Sequence, residues 1–278
     1  MMLFPYGLVL LPLIIYVLMI CRMAKAEYTL DSVRGALIRE EDTIIYGLIE
    51  RAKFPTNSQT YTHNYTGIPG FSGSLLHFVV INTEAVQAKA GRYKNLEENP
   101  FFPENLPPSL VTSYPFTQFL HAGTASININ KSIWKLYIHE LLPLFVASGD
   151  DGNYAQTAAS DLSLLQAISR RIHYGKFVAE VKFRESPQDY EPLIRAKDTE
   201  GLMKLLTFES VEEMVRKRVE KKAMLYGKDV TLNNDDDDND GNIKKYKVDP
   251  SVASTLYKKW LIPLTKDVQV EYLLNRLD

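Results

Sequence analysis

Cysteine is almost absent from this chain of 278 residues. The only one, Cys21, lies in an apolar segment near the N-terminus. Residues 27–278 therefore cannot form a disulfide bond or a catalytic thiolate. A cysteine-free domain is compatible with both oxidising and reducing compartments, so cysteine content does not indicate where the protein resides.

The motifs of common catalytic mechanisms are also missing. The sequence contains no glycine-rich phosphate loop and no Gly-x-Ser-x-Gly turn, and its histidines lack the spacing of a zinc-binding helix. We interpret His173 as a packed histidine rather than as a site residue. If the chain is an enzyme, we expect it to act through binding and electrostatics, without a metal or another cofactor.

An excess of positive charge is missing as well. The formal net charge is −2 and the basic residues are scattered, which argues against nucleic acid as a partner. One region, residues 231–247, is rich in aspartate instead. The spacing of Asp236, Asp238 and Asp240 matches the start of a calcium loop, but Lys247 stands where the closing glutamate belongs. We predict a flexible acidic loop there.

The longest uncharged run covers residues 2–21. It is followed by Ala24 and Ala26, which have the small-x-small spacing of a signal-peptidase site. We predict that residues 1–26 are a signal peptide and that residues 27–278 form the functional domain, with no membrane contact after cleavage. An uncleaved membrane anchor is the alternative, because the nearby cations follow the apolar run instead of preceding it.

The rest of the chain is predicted to be all-α, a single-domain helical bundle. Apolar residues recur at three- and four-residue steps, whereas alternating β-branched runs are absent. A helix cap is expected at Asp31 or Ser32. The predicted helices cover residues 30–52, 75–93, 131–147, 157–184 and 199–227, and a last helix follows the cap Asp249 and is kinked at Pro263.

Two cations of the predicted helix 157–184 project from one face. Arg171 and Lys182 are eleven residues apart, and at about 100° per residue their directions differ by only roughly 20°. Gly175 and Val178 lie between them on the chain. A small residue between two long cations predicts a hollow with positive ends, suited to a compact dianion. The alternative is a pair of solvated surface cations.

Three separated segments carry a resemblance to a known family. They read LDSVRGALIREEDTII at 30–45, RRIHYGKFVAE at 170–180 and PLTKDVQVEYLL at 263–274. In this order they resemble the eukaryotic, all-helical chorismate mutases, and the cytosolic plant forms most of all. The resemblance runs from about residue 29 to the C-terminus. It implies a cofactor-free rearrangement of the substrate chorismate to prephenate, a homodimer, and a cytosolic location that conflicts with a signal peptide.

The resemblance also implies roles for individual residues. Arg34 and Arg171 match the family's clamps for the two substrate carboxylates. Lys182 matches the cation at the ether oxygen, which gains negative charge as its C–O bond breaks. Glu212 matches the acid that accepts the ring hydroxyl, and Thr265 provides a backing contact on the last helix.

Gln269 departs from the family pattern. Fungal and most plant relatives have a glutamate at this position, which must be protonated to donate to the ether oxygen. A neutral amide donates at every pH, so we hypothesise that activity persists through neutral and mildly alkaline pH. The alternative is a solvated or inactivating glutamine.

The positions that match the family's effector site have also changed. Regulated relatives have a second arginine where this chain has Gly91, beside Arg92, and a glycine after an Asn-aromatic pair. Here Asn153 and Tyr154 are followed by Ala155 and Gln156, which would crowd that pocket. We therefore expect no response to tryptophan or tyrosine.

Two other hypotheses remain open from the sequence. One is a secreted, catalytically inactive helical protein that binds a small dianion or a protein partner. The other is a purely structural helical scaffold, which would not need cations on buried faces.

Overall fold

A computed structural model describes residues 28–112, 119–124, 126–228 and 246–278. The regular secondary structure of these residues is helical, and their only β-type pairing is an isolated bridge between Lys228 and Tyr246. The predicted all-α fold class is confirmed. The predicted signal peptide and most of the predicted acidic loop lie outside the described residues. Within the described part, no helix is long and apolar enough to cross a membrane.

The described residues contain eleven α-helices. In chain order they are α1 (Leu30–Arg51), α2 (Leu75–Lys89), α3 (Asn130–Leu136), α4 (Leu142–Phe145), α5 (Tyr154–His173), α6 (Gly175–Glu185), α7 (Pro187–Arg195), α8 (Thr199–Leu206), α9 (Glu209–Gly227), α10 (Pro250–Leu256) and α11 (Ile262–Leu274).

Helix α1 begins with a capping box at Thr29. Thr29 Oγ1 accepts a hydrogen bond from the Ser32 backbone N–H, and Ser32 Oγ accepts one from the Thr29 N–H. Thr29 is therefore the N-cap, and the prediction of Asp31 or Ser32 was wrong. A threonine and a serine three residues apart satisfy two free N–H groups at once, which one capping side chain cannot do.

The long helix predicted over 157–184 is two helices that meet at Tyr174. It begins earlier than predicted, at Tyr154. Gly175 follows the break, and a Cβ atom at that position would lie only 2.7 Å from the Thr265 carbonyl oxygen. Glycine is needed here because α6 and α11 approach so closely. This contact sets the register between two helices that carry site residues.

The helix predicted over 199–227 is also interrupted, between α8 and α9. Thr207 adopts an extended conformation there, and Phe208, with φ −126° and ψ 89°, becomes the N-terminal flank of α9. Helix α7, which begins with Pro187 in its first turn, was not predicted at all. At the last helix the Asp249 cap is confirmed, since its carboxylate accepts from the Ser251 N–H.

The two prolines within long helical stretches are each preceded by a π turn. Pro143 follows the turn Tyr137–Leu141, and Pro263 follows the turn Tyr257–Leu261. A proline lacks an N–H and its ring collides with the carbonyl four residues earlier. The wider turn accommodates that carbonyl, so the chain continues as a helix through Pro263.

Candidate active site

A cavity of about 710 Å³ is lined by residues of α1, α5, α6, α9 and α11, with contributions from α7 and α8. All six residues with a predicted catalytic role line it: Arg34, Arg171, Lys182, Glu212, Thr265 and Gln269. They come from segments far apart in the sequence, and the fold brings them together around one cavity.

The predicted hollow between Arg171 and Lys182 is part of this cavity, with one correction. Val178 lines the cavity, as predicted, but Gly175 does not. Gly175 packs instead against the backbone of α11. Both cations line the cavity on either side of the break at Tyr174, whereas the glycine faces α11.

Arg171 is the buried cation of the site, with 5% of the residue exposed. Its Nη1 donates to Thr265 Oγ1 at 3.3 Å, and its Nε has no hydrogen-bond partner. Its guanidinium carbon lies 5.7 Å from the centroid of the Tyr257 ring. Among the described residues, no carboxylate forms a salt bridge with it. A buried charge without a counter-ion is costly, so an anionic ligand would be bound tightly here.

Lys182 also forms no salt bridge with a described carboxylate, although the charge of Glu185 acts on it and raises its pKa slightly against the other causes. Its Nζ lies 4.8 Å from the centroid of the Phe208 ring. Burial and, secondarily, the positive charge of Arg34 lower the pKa of Lys182 to about 8. The amine is therefore mostly charged at neutral pH but can lose its proton within the physiological range.

Arg34 and Glu212 lie in more solvated parts of the wall. Arg34 is exposed, and its Nη1 is 3.7 Å from Asp31 Oδ1. Glu212 Oε1 accepts a hydrogen bond from Lys266 Nζ at 2.9 Å. That bond uses one carboxylate oxygen and leaves the other as an acceptor for a ligand hydroxyl. Lys266, which also lines the cavity, was not singled out from the sequence.

Thr265 and Gln269 are four residues apart on α11 and both side chains are buried. Thr265 Oγ1 donates to the Leu261 carbonyl oxygen and accepts from Arg171. Gln269 Nε2 donates to the Thr265 carbonyl oxygen at 3.2 Å, and its Oε1 has no partner. An amide nitrogen carries two hydrogens, so one remains available to a ligand.

The sequence analysis did not predict a charged pair that also lines the cavity, Arg218 and Glu41. Arg218 Nε and Nη2 donate to the two oxygens of Glu41, at 2.9 and 2.6 Å, and Lys222 Nζ lies 3.1 Å from Glu41 Oε2. The pair ties α9 to α1. Residues seven apart on α1, Arg34 and Glu41, could have been recognised as one helix face, but the partners of Glu41 on α9 could not.

His173 is a packed histidine, as predicted. Its Nε2 accepts from the Ile129 backbone N–H at 2.9 Å, and its Nδ1 lies 2.8 Å from the Ser169 carbonyl oxygen. Burial, and then the charge of Lys176, lower its pKa to about 3. The ring is therefore neutral and held between two backbone groups, outside the cavity.

The positions that match the effector site lie apart from each other within one chain. Gly91, with φ +87°, precedes a short 3₁₀ turn at Arg92–Lys94. Arg92 donates to Glu98 at 3.0 and 2.8 Å and to Gln166 of α5 at 2.8 Å. Asn153, Ala155 and Gln156 are exposed at the N-terminal end of α5, about 15–20 Å along the helix from Gln166.

Comparison with known proteins identifies the family. The profile of type II chorismate mutases matches residues 153–270. Chorismate mutase 2 from Arabidopsis thaliana is 60% identical over 250 residues, which cover 90% of this chain and 94% of that protein. The chain belongs to the chorismate mutase family. It is an isomerase with chorismate mutase function in aromatic amino acid biosynthesis, and these comparisons give the inactive alternative no support.

Two further chorismate mutases are similar to this chain over most of its length. Chorismate mutase 2, cytosolic, from Zea mays is 50% identical, over 91% of this chain and 97% of that protein. The crystal structure of AtCM1 with phenylalanine bound in its allosteric site has a TM-score of 0.82 and 47% identity. It covers 92% of this chain and 99% of that one. The helical architecture expected from the resemblance is thus confirmed.

Proposed function

We propose that the cavity binds chorismate as a dianion and that its unpaired cations provide the catalysis. One observation carries this proposal above the others. Arg171 is buried, has one donor without any partner, and is in no salt bridge with a described carboxylate. A protein tolerates such a charge where a ligand supplies the missing anion.

Arg171 and Arg34 are proposed to bind the two carboxylates of chorismate. Held at two points, the substrate is restricted to the compact conformation in which the bond-forming carbons meet. Glu212, oriented by Lys266, is proposed to accept the ring hydroxyl with its second oxygen. Thr265 orients the Arg171 guanidinium, because its hydroxyl is itself fixed by the Leu261 carbonyl.

Lys182 and Gln269 are proposed to stabilise the ether oxygen. This atom gains negative charge as the C–O bond breaks, so donors aimed at it bind the transition state better than the substrate. Lys182 would contribute a full charge, and Gln269 the amide hydrogen that is not bonded to Thr265. Neither group transfers a proton, in keeping with a rearrangement that needs no general acid.

The activity that Gln269 is expected to maintain at neutral and mildly alkaline pH then has an upper pH limit. The Gln269 amide does not titrate. The pKa of Lys182, lowered to about 8 mainly by burial, does fall within the pH range of an activity assay. Above that pH the free enzyme loses the cation at the ether oxygen. Activity is therefore proposed to hold through neutral pH and to decline in kcat/KM above about pH 8.

Turnover of chorismate by purified protein, followed as loss of substrate absorbance, tests these roles. Arg171→Met and Lys182→Met are expected to lower kcat/KM by about a hundredfold or more, the usual cost of removing one electrostatic donor. Arg195→Met is the matched control, because Arg195 is an exposed cation of α7 paired only with Glu191. Equal activity of all three variants would contradict the proposed roles.

We further propose that aromatic amino acids do not regulate this enzyme. Arg92 is already engaged by Glu98 and Gln166, so its guanidinium is not free for an effector carboxylate, and Gly91 offers no side chain. Tryptophan, tyrosine or phenylalanine, each added at about 1 mM, is expected to change the rate of chorismate turnover by less than about twofold. A severalfold change in the rate would refute this.

A homodimer in the cytosol is proposed for the assembly and location of the enzyme. The location is supported by the maize relative, which is named cytosolic, and the dimer by the family resemblance alone. Light scattering on the purified protein gives the mass in solution. Fluorescent fusions with and without residues 1–26 test whether that segment directs the protein into the secretory route.

A further inference from the structure

The cations of the cavity fall into two groups according to what holds them. Lys266 is bonded to Glu212, Arg218 to Glu41, and Arg34 lies near Asp31. Within the described residues, Arg171 and Lys182 have no such carboxylate. Each of them lies over an aromatic ring instead: Arg171 over Tyr257 at 5.7 Å, and Lys182 over Phe208 at 4.8 Å.

Outside the cavity, one described cation shares this combination: Lys259, which is exposed, lies 5.6 Å from the centroid of the Trp260 ring and forms no salt bridge with a described residue. Three other arginines also lie over rings: Arg92 over Tyr93, Arg184 over Phe119 and Arg276 over Phe183. All three are paired with a glutamate as well, Glu98 for Arg92 and Glu180 for the other two. Among the described cations that are not exposed, a ring without a paired carboxylate is therefore found at Arg171 and Lys182, two of the three cations proposed to contact the substrate.

We propose that Phe208 is a positioning residue of this enzyme, whose ring holds the Lys182 ammonium in the place that a counter-ion would otherwise occupy. Tyr257 has the same relation to Arg171. An aromatic face attracts a cation through its quadrupole but carries no net charge. The ammonium is thus oriented without being neutralised, and its charge remains available to the ether oxygen. The inference rests on the proposed role of Lys182.

The backbone around Phe208 is consistent with this role. The residue interrupts the helical stretch between α8 and α9, with φ −126° and ψ 89°, and 53% of it is exposed. An exposed phenylalanine at a helix break contributes little to the core, so packing alone does not explain its placement. The break directs its side chain to the cavity wall, beside Lys182.

The test compares three replacements of Phe208 in the full-length enzyme. Cyclohexylalanine keeps the size and burial of phenylalanine but has no π face. Phe208→Tyr keeps the ring. Phe208→Glu supplies the counter-ion that the structure avoids. Leu225→Ala is the control, because Leu225 lies on α9, is 63% exposed and does not line the cavity.

Two readouts are expected to separate the variants. With cyclohexylalanine, kcat falls about fivefold. The decrease of kcat/KM at high pH, which is the alkaline limb of the pH profile, moves to lower pH because the Lys182 ammonium loses its attraction to the ring. With glutamate, kcat falls further but the limb moves to higher pH, because a carboxylate stabilises the charged amine while competing with the substrate. Tyrosine leaves both readouts near wild type.

The other charged groups around Lys182 are unchanged in the cyclohexylalanine and tyrosine enzymes. Those lining the same cavity include Arg34 on α1, Glu185 on α6, Asp189 on α7, Glu212 on α9 and Lys266 on α11. A limb that is displaced with cyclohexylalanine but not with tyrosine therefore reports the ring itself, which a merely apolar wall would not produce.

Failure of this inference can be distinguished from failure of the proposed function. If Lys182→Met is inactive but the cyclohexylalanine enzyme matches wild type in kcat and in its pH profile, Phe208 is only a wall residue and the inference is overturned. If Lys182→Met retains activity, the proposed role of Lys182 is wrong and the ring has nothing to position. Thermal unfolding of each variant confirms that the compared proteins are folded.

Discussion

Arg51 and Arg171 are both buried arginines, yet their surroundings differ in almost every respect. Arg51 is 0% exposed, and its Nε is 2.6 Å from Asp161 Oδ1. Its other nitrogens donate to Tyr61 Oη and to the carbonyl oxygens of three residues, Phe54, Pro55 and Thr56. Arg171 has one hydrogen bond, to Thr265, and an Nε without a partner.

The difference separates a charge that supports the fold from one that, under the proposed function, awaits a ligand. The Arg51 cluster is complete: Asp161 also accepts from the hydroxyls of Tyr61 and Tyr137, at 2.6 Å each. Every group there is bonded to protein, so nothing remains to bind a substrate. Arg171 lines the cavity with its hydrogen bonds incomplete, and under the proposed function the cost of that incomplete site is recovered when a dianion binds.

The largest expected effect is on stability, from Arg51→Met. Removing this partner leaves the Asp161 carboxylate buried without a counter-ion, which should lower the free energy of unfolding by about 3–5 kcal/mol. Urea unfolding measures it. The double variant Arg51→Met, Asp161→Leu should recover part of the loss. If the double variant were less stable than the single one, the assigned role of the pair would be wrong.

Arg171→Met should have the opposite profile. We expect kcat/KM to fall by about a hundred- to a thousandfold, because a carboxylate clamp is lost. The urea midpoint should stay unchanged or rise, since no salt bridge with a described residue is broken. Parallel loss of stability and activity, as expected for Arg51, would place Arg171 among the structural arginines instead.

Gln269→Glu sharpens the comparison within the site, with an expected loss of about tenfold at pH 8. A carboxyl group must be protonated to donate, and ionisation beside the substrate's own charges would repel the ether oxygen. The protonated acid also has one hydrogen, whereas the amide has one for Thr265 and one for the ligand. Activity should recover towards pH 5. A pH profile identical to wild type would exclude residue 269 from the chemistry.

The smallest expected effect is a decrease in kcat/KM of the wild-type enzyme at alkaline pH. The pKa of Lys182 is lowered from its ordinary value, so the amine loses its charge as the pH rises through about 8 and kcat/KM declines. In kcat the decline should begin at higher pH, because the bound dianion stabilises the ammonium. Stopped or continuous turnover assays from pH 6 to pH 10, roughly, span both states.

Lys182→Arg provides the control for this assignment. Arginine keeps its charge throughout the range, so the limb should disappear even if the overall rate is lower. The control is needed because burial also lowers the pKa of Lys176 to about 8, and that lysine lies outside the cavity. A limb that persists in Lys182→Arg would exclude Lys182 as its source, and the same replacement of Lys176 would then test that lysine.

The sequence analysis predicted the parts of the site that depend on helical periodicity. Arg171 and Lys182 were expected on one face because eleven residues complete nearly three turns, and Thr265 and Gln269 because four residues complete nearly one. The all-α class followed from the same periodicity. These are local relations, and a break of one residue at Tyr174 does not alter them.

Contacts between distant segments could not be predicted in this way. The pairing of Glu41 with Arg218, the ring of Phe208 over Lys182 and the approach of Gly175 to Thr265 all join different helices. The direction in which Phe208 projects depends on a helix break that periodicity alone does not reveal. Register between helices is set by packing, which a single sequence does not encode in any local pattern.

The most direct test of the central claim is urea unfolding of wild type and Arg171→Met, each with and without saturating prephenate. If Arg171 awaits the dianion, prephenate should raise the midpoint of wild type but hardly that of the variant, while the free variant is at least as stable as wild type. A free variant that is clearly less stable, with an undiminished shift on adding prephenate, would contradict the account, because Arg171 would then support the fold and not the ligand.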